Sequence, residues 1–331
     1  MVYMCNQFAL RVKGERESMA MEKSSGRSLL RQRIFRNWEL YLMFLPVLVF
    51  FLVFHYAPMY GVQIAFKKFS AVRGIVGSPW RGLYYFQQFF DSYLFGELIG
   101  NTLGLSLYSL AVGFPTPILL ALMMNELRSE RVKRVVQTIT YAPHFISMVV
   151  MCSMIILFLS PSSGVLNRII EILGGQSVYF MGKPEYFKTI YVLSGVWQNT
   201  GWSSIIYMAA LSGIDPQLHE AATIDGASRL QRVWHIDLPV LLPTASIMLI
   251  MNAGTIMSVG FEKVYLMQNS VNSVYSEVIS TYVYKTGLGG TTNQMSYAAA
   301  IGLFNNVING ILLLVVNFAS SKLSGGAHSL F

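Results

Sequence analysis

Residues Glu220–Pro243, EAATIDGASRLQRVWHIDLPVLLP, form a polar stretch between two long apolar segments that carry no charge. The local signals describe folded structure rather than a slack connector. Asp215-Pro216 opens a helix: the Asp side chain can cap free amides, and Pro at the first helical position gives up only an N–H that had no partner. Leu218, Ala221, Ala222 and Ala227 are small or apolar surfaces around it. Gly226 interrupts the helix and supplies backbone freedom that a Cβ would forbid. Ser228-Arg-Leu-Gln231 is a capping box that opens a second short helix, expected to run through Trp234 and end near Leu238-Pro239. The product is helix, tight turn, helix, with Glu220 projecting as a lone acid and small residues that permit close approach by another protein. An ordinary helix–turn–helix connection between two spans would show the same caps.

The flanking segments decide the fold class. The 331 residues are 53% hydrophobic and only 12% charged, with a mean hydropathy of +0.48, against roughly 25% charged in soluble domains. Six regions are long and apolar enough to cross a bilayer: Trp38–Tyr56, Leu98–Met124, Thr138–Leu159, Ile190–Leu211, Val240–Phe261 and Tyr297–Ser320. The fourth and sixth are richer in Ser, Thr and Asn. In lipid the backbone must satisfy its own hydrogen bonds, and segments of this length do so as helices. The expectation is an all-α membrane protein with six transmembrane helices. Basic residues set its orientation. With the N-terminus inside, the inner segments hold Arg11, Lys13, Arg16, Lys23, Arg27, Arg31, Arg33, Arg36, Arg128, Arg131, Lys133, Arg134, Arg229, Arg232 and Lys322, fifteen of the 24 Lys and Arg. Both termini and the Glu220 loop are therefore expected in the cytoplasm.

The net charge of +8 needs no nucleic acid, because a basic juxtamembrane tail attracts anionic lipid at roughly 1 kcal/mol per charge. Residues 1–26 are expected to be disordered, and Arg27–Asn37 to form a short interfacial helix. The domain plan is thus a basic cytoplasmic tail and interfacial helix over 1–37, a transmembrane domain over 38–321 with the loop at 215–239, and a short cytoplasmic tail over 322–331. Met19 and Met21 stand as alternative starts to Met1, and no cleavable signal precedes the first apolar run. Two cysteines, Cys5 in the tail and Cys152 in a span, make no disulfide framework. Between Pro58 and Glu97, Trp80, Tyr84, Tyr85, Phe86, Phe89 and Phe90 fit interfacial packing or contact with an outside partner. Pro115 and Pro117 should kink or break the second span. No internal repeat is evident.

The run EAATIDGA, followed by Trp234, Ile236, Leu238-Pro239 and Pro243, resembles the EAA loop of maltose-type ABC importer permeases, type I importers in which such a loop docks on a cytoplasmic ATPase. Gly82-Leu83 with Phe86 ahead of Asn101-Thr102, VWQNTGWSSIIYMAALSGIDP, GFEKVYLMQN (Gly260–Asn269), TYVYKTGL (Thr281–Leu288) and SYAAAIGLFNNVINGILL extend the likeness over residues 28–323. They resemble most the permeases for polysaccharides or complex oligosaccharides of the lipoprotein-operon type, common in Gram-positive bacteria. The resemblance implies that Glu220, Ala221, Ala222, Asp225, Gly226, Trp234 and Pro239 couple this chain to an ATPase, with Glu220 facing a basic residue and Gly226 making the turn. His219 departs from the Tyr often found before the Glu, a difference that bears on loop packing. It also implies several partners: a homologous second permease, a cytoplasmic ATPase dimer holding ATP and Mg, an extracellular solute-binding lipoprotein, and an oligosaccharide. The chain has no Walker A sequence, since Gly182-Lys183 runs into Pro184 and lacks the earlier Gly. ATP hydrolysis is therefore expected from a separate subunit, and no cofactor from this chain.

Polar residues inside spans are candidates for function because exposing them to lipid is costly. Trp197, Gln198, Asn199 and Trp202 cluster on the fourth span, where indole faces suit sugar rings and amides suit hydroxyls. Asn252 lies on the fifth span, and Asn305, with Asn306 and Asn309, on the sixth. In the maltose type, sugar is held by the helices before and after the EAA loop, which favours Asn199, Trp202 and Asn252. Bonding between helices is the competing role for each. Glu262 suits either substrate contact or an interfacial charge. His55, His144, His219, His235 and His328 are scattered without metal-ligand spacing, so neither a metal site nor an enzyme is expected. An ion-coupled secondary transporter is the alternative; it would need intramembrane acids, and no Asp or Glu lies mid-span.

Overall fold

A computed structural model of the chain describes residues 37–289 and 294–323. The expected disordered tail, nearly all of the interfacial helix, and most of the 322–331 tail lie outside the described residues. The chain divides into two units, Met1–Val62 and Gln63–Phe331.

The described part of the first unit is one helical run. An α-helix over Trp38–Phe51 passes into a π turn at Leu52–Tyr56 and resumes at Ala57–Met59. Its residues are apolar on every face, the pattern of a helix surrounded by hydrocarbon. The π turn has a local cause. Pro58 has no N–H to give to the ladder, and a one-residue slip to i→i+5 bonding, with Ala57 N–H donating to the Leu52 carbonyl, absorbs the missing donor.

The second unit is built around the 28-residue helix Pro184–Leu211, about 42 Å long at 1.5 Å per residue. Buried side chains join it to its neighbours in two clusters. One holds Phe187 and Val192 with Leu105, Met151 and Val264; the other holds Tyr207 and Leu211 with Ala121 and Leu241. A third cluster lies away from it, with Phe89, Leu98, Tyr297 and Ile301. One crossing is set by a glycine: a Cβ on Gly201 would sit 2.0 Å from the Thr140 carbonyl oxygen. The aromatic-rich segment before the second span is drawn into packing. Phe66 stacks on Trp80, with ring centroids 5.6 Å apart, and buried Phe89 meets Phe95, Tyr297 and Phe304.

Among the described residues, four helices are long and apolar enough to cross a bilayer: Trp38–Phe66, Phe95–Asn125, Arg229–Ala253 and Met295–Lys322. A fifth span exists if the bent pair Glu130–Phe145 and Met148–Phe158 is counted as one. Three expected helices differ in detail. The second carries its prolines with a break at Phe114 alone, whose backbone stays helical at φ −75°, ψ −47°. The third is not one helix over Thr138–Leu159. It turns by 101° at a break where Pro143 opens a short 3-10 segment, Ile146 is extended and Ser147 caps the next helix. The fifth stops at Ala253 rather than reaching Phe261, and a new short helix begins at Phe261. There Gly254 packs so closely on Leu313 that a Cβ would meet its Cδ1 at 2.5 Å. The Asn309 side chain accepts from the Met257 N–H at 2.8 Å and donates to Ser258 at 2.7 Å, holding the turned segment.

Candidate coupling loop and transmembrane cavity

The loop folds largely as its sequence dictates. Asp215 accepts a hydrogen bond from the Gln217 amide at 3.0 Å and caps the helix Pro216–Ile224. Gly226 adopts φ +82°, the left-handed conformation that turns the chain. Ser228 and Gln231 complete the capping box, with the Ser228 N–H donating to the Gln231 side chain at 2.7 Å. One expectation fails. The second helix does not end near Pro239; it runs from Arg229 through a π turn at Val233–Asp237 directly into the helix Leu238–Ala253. The reason repeats that of the first unit, because the π turn again comes immediately before a residue followed by proline, here Leu238-Pro239. The loop is thereby a rigid extension of a span.

Its outer surface is unusual for a polar connection. Ile224 is 86% exposed, Leu230 69%, and Trp234 and Leu218 over half, giving a set of uncovered apolar side chains of the kind that marks an interaction site. Glu220, Ala221, Asp225, Gly226 and Pro239 are exposed and Ala222 half-buried. Glu220 makes no hydrogen bond or ion pair with any described residue. Beneath this surface lies a contact that sequence reasoning missed. Asp237 is fully buried, 3.2 Å from Nε2 of His219, with the Asn125 amide donating to it at 3.5 Å. His219 thus has a partner across the loop, and Asn125 joins both to the end of the second span. Arg232 donates to Thr223 at 2.6 Å and closes the turn between the two loop helices. Only the placement of an acid two residues before Pro239 hinted at this arrangement.

A cavity of about 810 Å³ opens alongside the central helix, lined by Ser106, Ser109, Gln198, Asn199, Trp202, Asn252 and Glu262 among others. Four of the six expected sugar-binding residues are therefore brought together: Gln198, Asn199, Trp202 and Asn252. Trp197 and Asn305 are not among its lining residues. Trp197 is half-exposed on another face of the same helix, while Asn305 is buried in the last helix. The broken third span shapes the lining. Its His144 ring stacks on Trp202 at 4.6 Å and 4°, and its Nδ1 lies 3.2 Å from the Asn199 Oδ1. Gln198 donates to the Ile146 carbonyl at 3.1 Å, yet its Oε1 is buried without a partner.

Lys263 was not singled out from the sequence. It lies on the short helix Phe261–Met267, beyond the fifth span, and it too lines the cavity. It is 5% exposed. Its Nζ donates to the Tyr191 carbonyl at 2.7 Å and sits 4.4 Å from the centre of the Tyr191 ring. Burial pushes its ammonium down to about 8.

A helical membrane domain with a cavity that sets amide, hydroxyl and indole side chains among apolar ones, and with an apolar-faced helical loop between two helices, has the form of a transport subunit. Comparison with known proteins makes this specific. Residues 113–324 match the family described as binding-protein-dependent transport system inner membrane component, and the chain belongs to that family of ABC permeases. It is 41% identical over 300 residues to the polygalacturonan/rhamnogalacturonan transport system permease protein YteP of Bacillus subtilis (strain 168), covering 91% of this chain and 93% of that protein. Two solved structures are similar at a TM-score of 0.81. One is a chain of a bacterial ABC transporter involved in the import of the acidic polysaccharide alginate, with 43% identity over 88% of this chain and 98% of that one. The other is a bacterial alginate ABC transporter in complex with an alginate pentasaccharide-bound periplasmic protein, with 42% identity over 88% of this chain and 97% of that one. The helical ABC permease fold expected from the sequence is the fold found, with four or five apolar helices among the described residues where six were expected.

Proposed function

We propose that this chain carries oligosaccharides or polysaccharide fragments across the plasma membrane of a Gram-positive bacterium. It would act with a homologous second permease, a cytoplasmic ATPase dimer that binds ATP and Mg, and an extracellular solute-binding lipoprotein. The observation that carries the coupling half of this reading is the exposed apolar face of the 215–239 loop around an unpaired Glu220. Because the loop continues without a break into the helix Leu238–Ala253, force applied to it reaches a wall of the cavity that holds Asn252. Closure of the ATPase dimer would then shift that wall and alternate access to the cavity. Gln198, Asn199, Trp202 and Asn252 are the proposed sugar contacts. The relatives support the cargo class, since they are named for polysaccharide transport.

Six spans follow if the bent pair counts as one and the long helix Pro184–Leu211 as another. That helix is as long as the apolar four, and its polar run at Gln198-Asn199-Thr200 faces the cavity rather than lipid. Six spans and the excess of inner Lys and Arg put both termini in the cytoplasm, with residues 1–37 and 322–331 as tails around the permease domain. The test is Glu220→Ala in the assembled complex. Insertion should be normal, while ATPase co-purification and sugar-stimulated ATP hydrolysis fall. Wild-type docking and uptake in that variant would overturn the coupling role.

A further inference from the structure

Lys263 holds a buried positive charge that the described structure does not neutralise. Among the described residues, ion pairs within 4.0 Å are His219–Asp237 and Lys285–Glu277, and neither involves Lys263. An ammonium has three donors; the Tyr191 carbonyl takes one, and the Tyr191 ring faces the charge. Burying a cation without a paired anion is costly, and ionisable residues at membrane depth face cavities, pair with carbonyls and mark substrate pathways. The backbone makes room for it: a Cβ on Gly195 would lie 3.1 Å from the Lys263 Nζ. A second lysine, Lys188, lies on the central helix one turn before Tyr191 and also reaches towards a glycine. Lys188 is half-buried without an ion-pair partner among the described residues, and its Nζ would lie 3.0 Å from a Cβ on Gly104, on the helix that gives Ser106 and Ser109 to the cavity.

The rest of the lining says what kind of anion fits. Gln198 lines the cavity, and its buried Oε1 has no partner among the described residues. Asn199, Asn252, Ser106 and Ser109 add further groups suited to hydroxyls. Glu262 also lines the cavity but is exposed, and adjacent helix positions point about 100° apart, so its carboxylate and the Lys263 ammonium address different parts of the space. A small inorganic anion would leave the amides unused, and a neutral sugar would leave the ammonium unpaired.

We propose that Lys263 is a specificity-determining residue that binds the carboxylate of a uronic-acid-bearing oligosaccharide in this cavity. The proposal rests on the oligosaccharide-import reading above and narrows its substrate class. Burial pushes the Lys263 ammonium down to about 8 while the neighbouring Cys152 thiol opposes that shift, so uronate uptake should decline as pH rises into that range. Cys152 and Glu262 are other titratable groups nearby.

The experiment uses the complete complex in proteoliposomes, with an oligogalacturonide and the same oligosaccharide after carboxyl reduction as paired substrates. Wild type should favour the uronate. Lys263→Gln should lower uronate uptake about tenfold, the scale of one charge-assisted hydrogen bond, and leave uptake of the reduced sugar near the wild-type rate. Lys263→Arg, which keeps its charge at all working pH values, should retain uronate uptake and lose the decline above pH 8. Equal loss of both substrates in the Gln variant, or no loss of either, would overturn the proposal in favour of a structural lysine. Wild-type import of the reduced sugar but not the uronate would overturn it while leaving oligosaccharide import standing. Import of neither would overturn both.

Discussion

The 215–239 loop and the cavity are made in opposite ways. The loop is local: Asp215 caps over two residues, Ser228 and Gln231 over three, and Gly226 turns the chain by its own backbone. The cavity is assembled from residues far apart in sequence, with His144 set against Trp202 and Lys263 against Tyr191. A local device can be damaged without disturbing the rest of the protein. An assembled one depends on how the helices cross, so the crossings control it from a distance. The two regions meet at the helix Leu238–Ala253, which begins as loop and ends as cavity wall.

The strongest way to break this contrast is at a crossing. Gly201→Ala places a Cβ against the Thr140 backbone carbonyl, which cannot swing aside as a side-chain end would. The Glu130–Tyr141 helix must move, at a cost of about 3 kcal/mol or more. Loss of monodisperse protein in detergent, together with a lower melting temperature, is the expected result, with the distant loop and cavity failing together. A stable, active variant would show that the crossing is looser than the backbone implies.

Gly226→Leu is the matching change in the loop. The space around Gly226 is open, with nothing within 4 Å of an added Cβ, so the cost comes from φ alone. That is roughly 1–2 kcal/mol, confined to the turn. Yield and melting temperature should stay near wild type, while ATPase co-purification falls. Equal damage to folding and docking would erase the distinction between the two regions. A smaller effect is expected beneath the loop. His219→Phe removes the closest partner of the buried Asp237 carboxylate and leaves the Asn125 amide. A cost of about 1–2 kcal/mol follows from under-satisfied burial, read as faster proteolysis of the 215–239 segment.

The same contrast explains what could be read in advance. Caps and the glycine turn depend on near neighbours, and they stand where the sequence puts them; the apolar segments are helical, but the third bends and the fifth ends early. The sequence points to an end of the second loop helix at Leu238-Pro239, because proline removes an N–H from the ladder. The chain instead slips into a π turn ahead of Pro239, as it does ahead of Pro58. The break in the third span had a signal in Pro143, but its 101° bend depends on what the segment packs against. Trp197 and Trp202 are close in sequence, but five residues along a helix put the two side chains on different faces, and only Trp202 lines the cavity. Lys263 could not be recognised as buried because its short helix carries no apolar period, and its burial comes from contact with Tyr191, 72 residues away.

The finest test separates contact with cargo from contact with protein inside the cavity itself. Asn252 is exposed, and its side-chain amide donates only to the Met248 carbonyl of its own helix, at 2.8 Å. Asn252→Ala should therefore change stability by no more than about 0.5 kcal/mol. Trp202→Ala loses the His144 stack, a loss of about 0.5–1.5 kcal/mol. If these side chains serve the sugar, both variants should lower sugar-stimulated uptake by more than their stabilities fall, with ATPase docking unchanged. Asn252 is the cleaner of the two, because nothing in the fold leans on its amide. Normal transport in both variants would move the sugar path off this face of the central helix, towards the Ser106 and Ser109 side of the cavity.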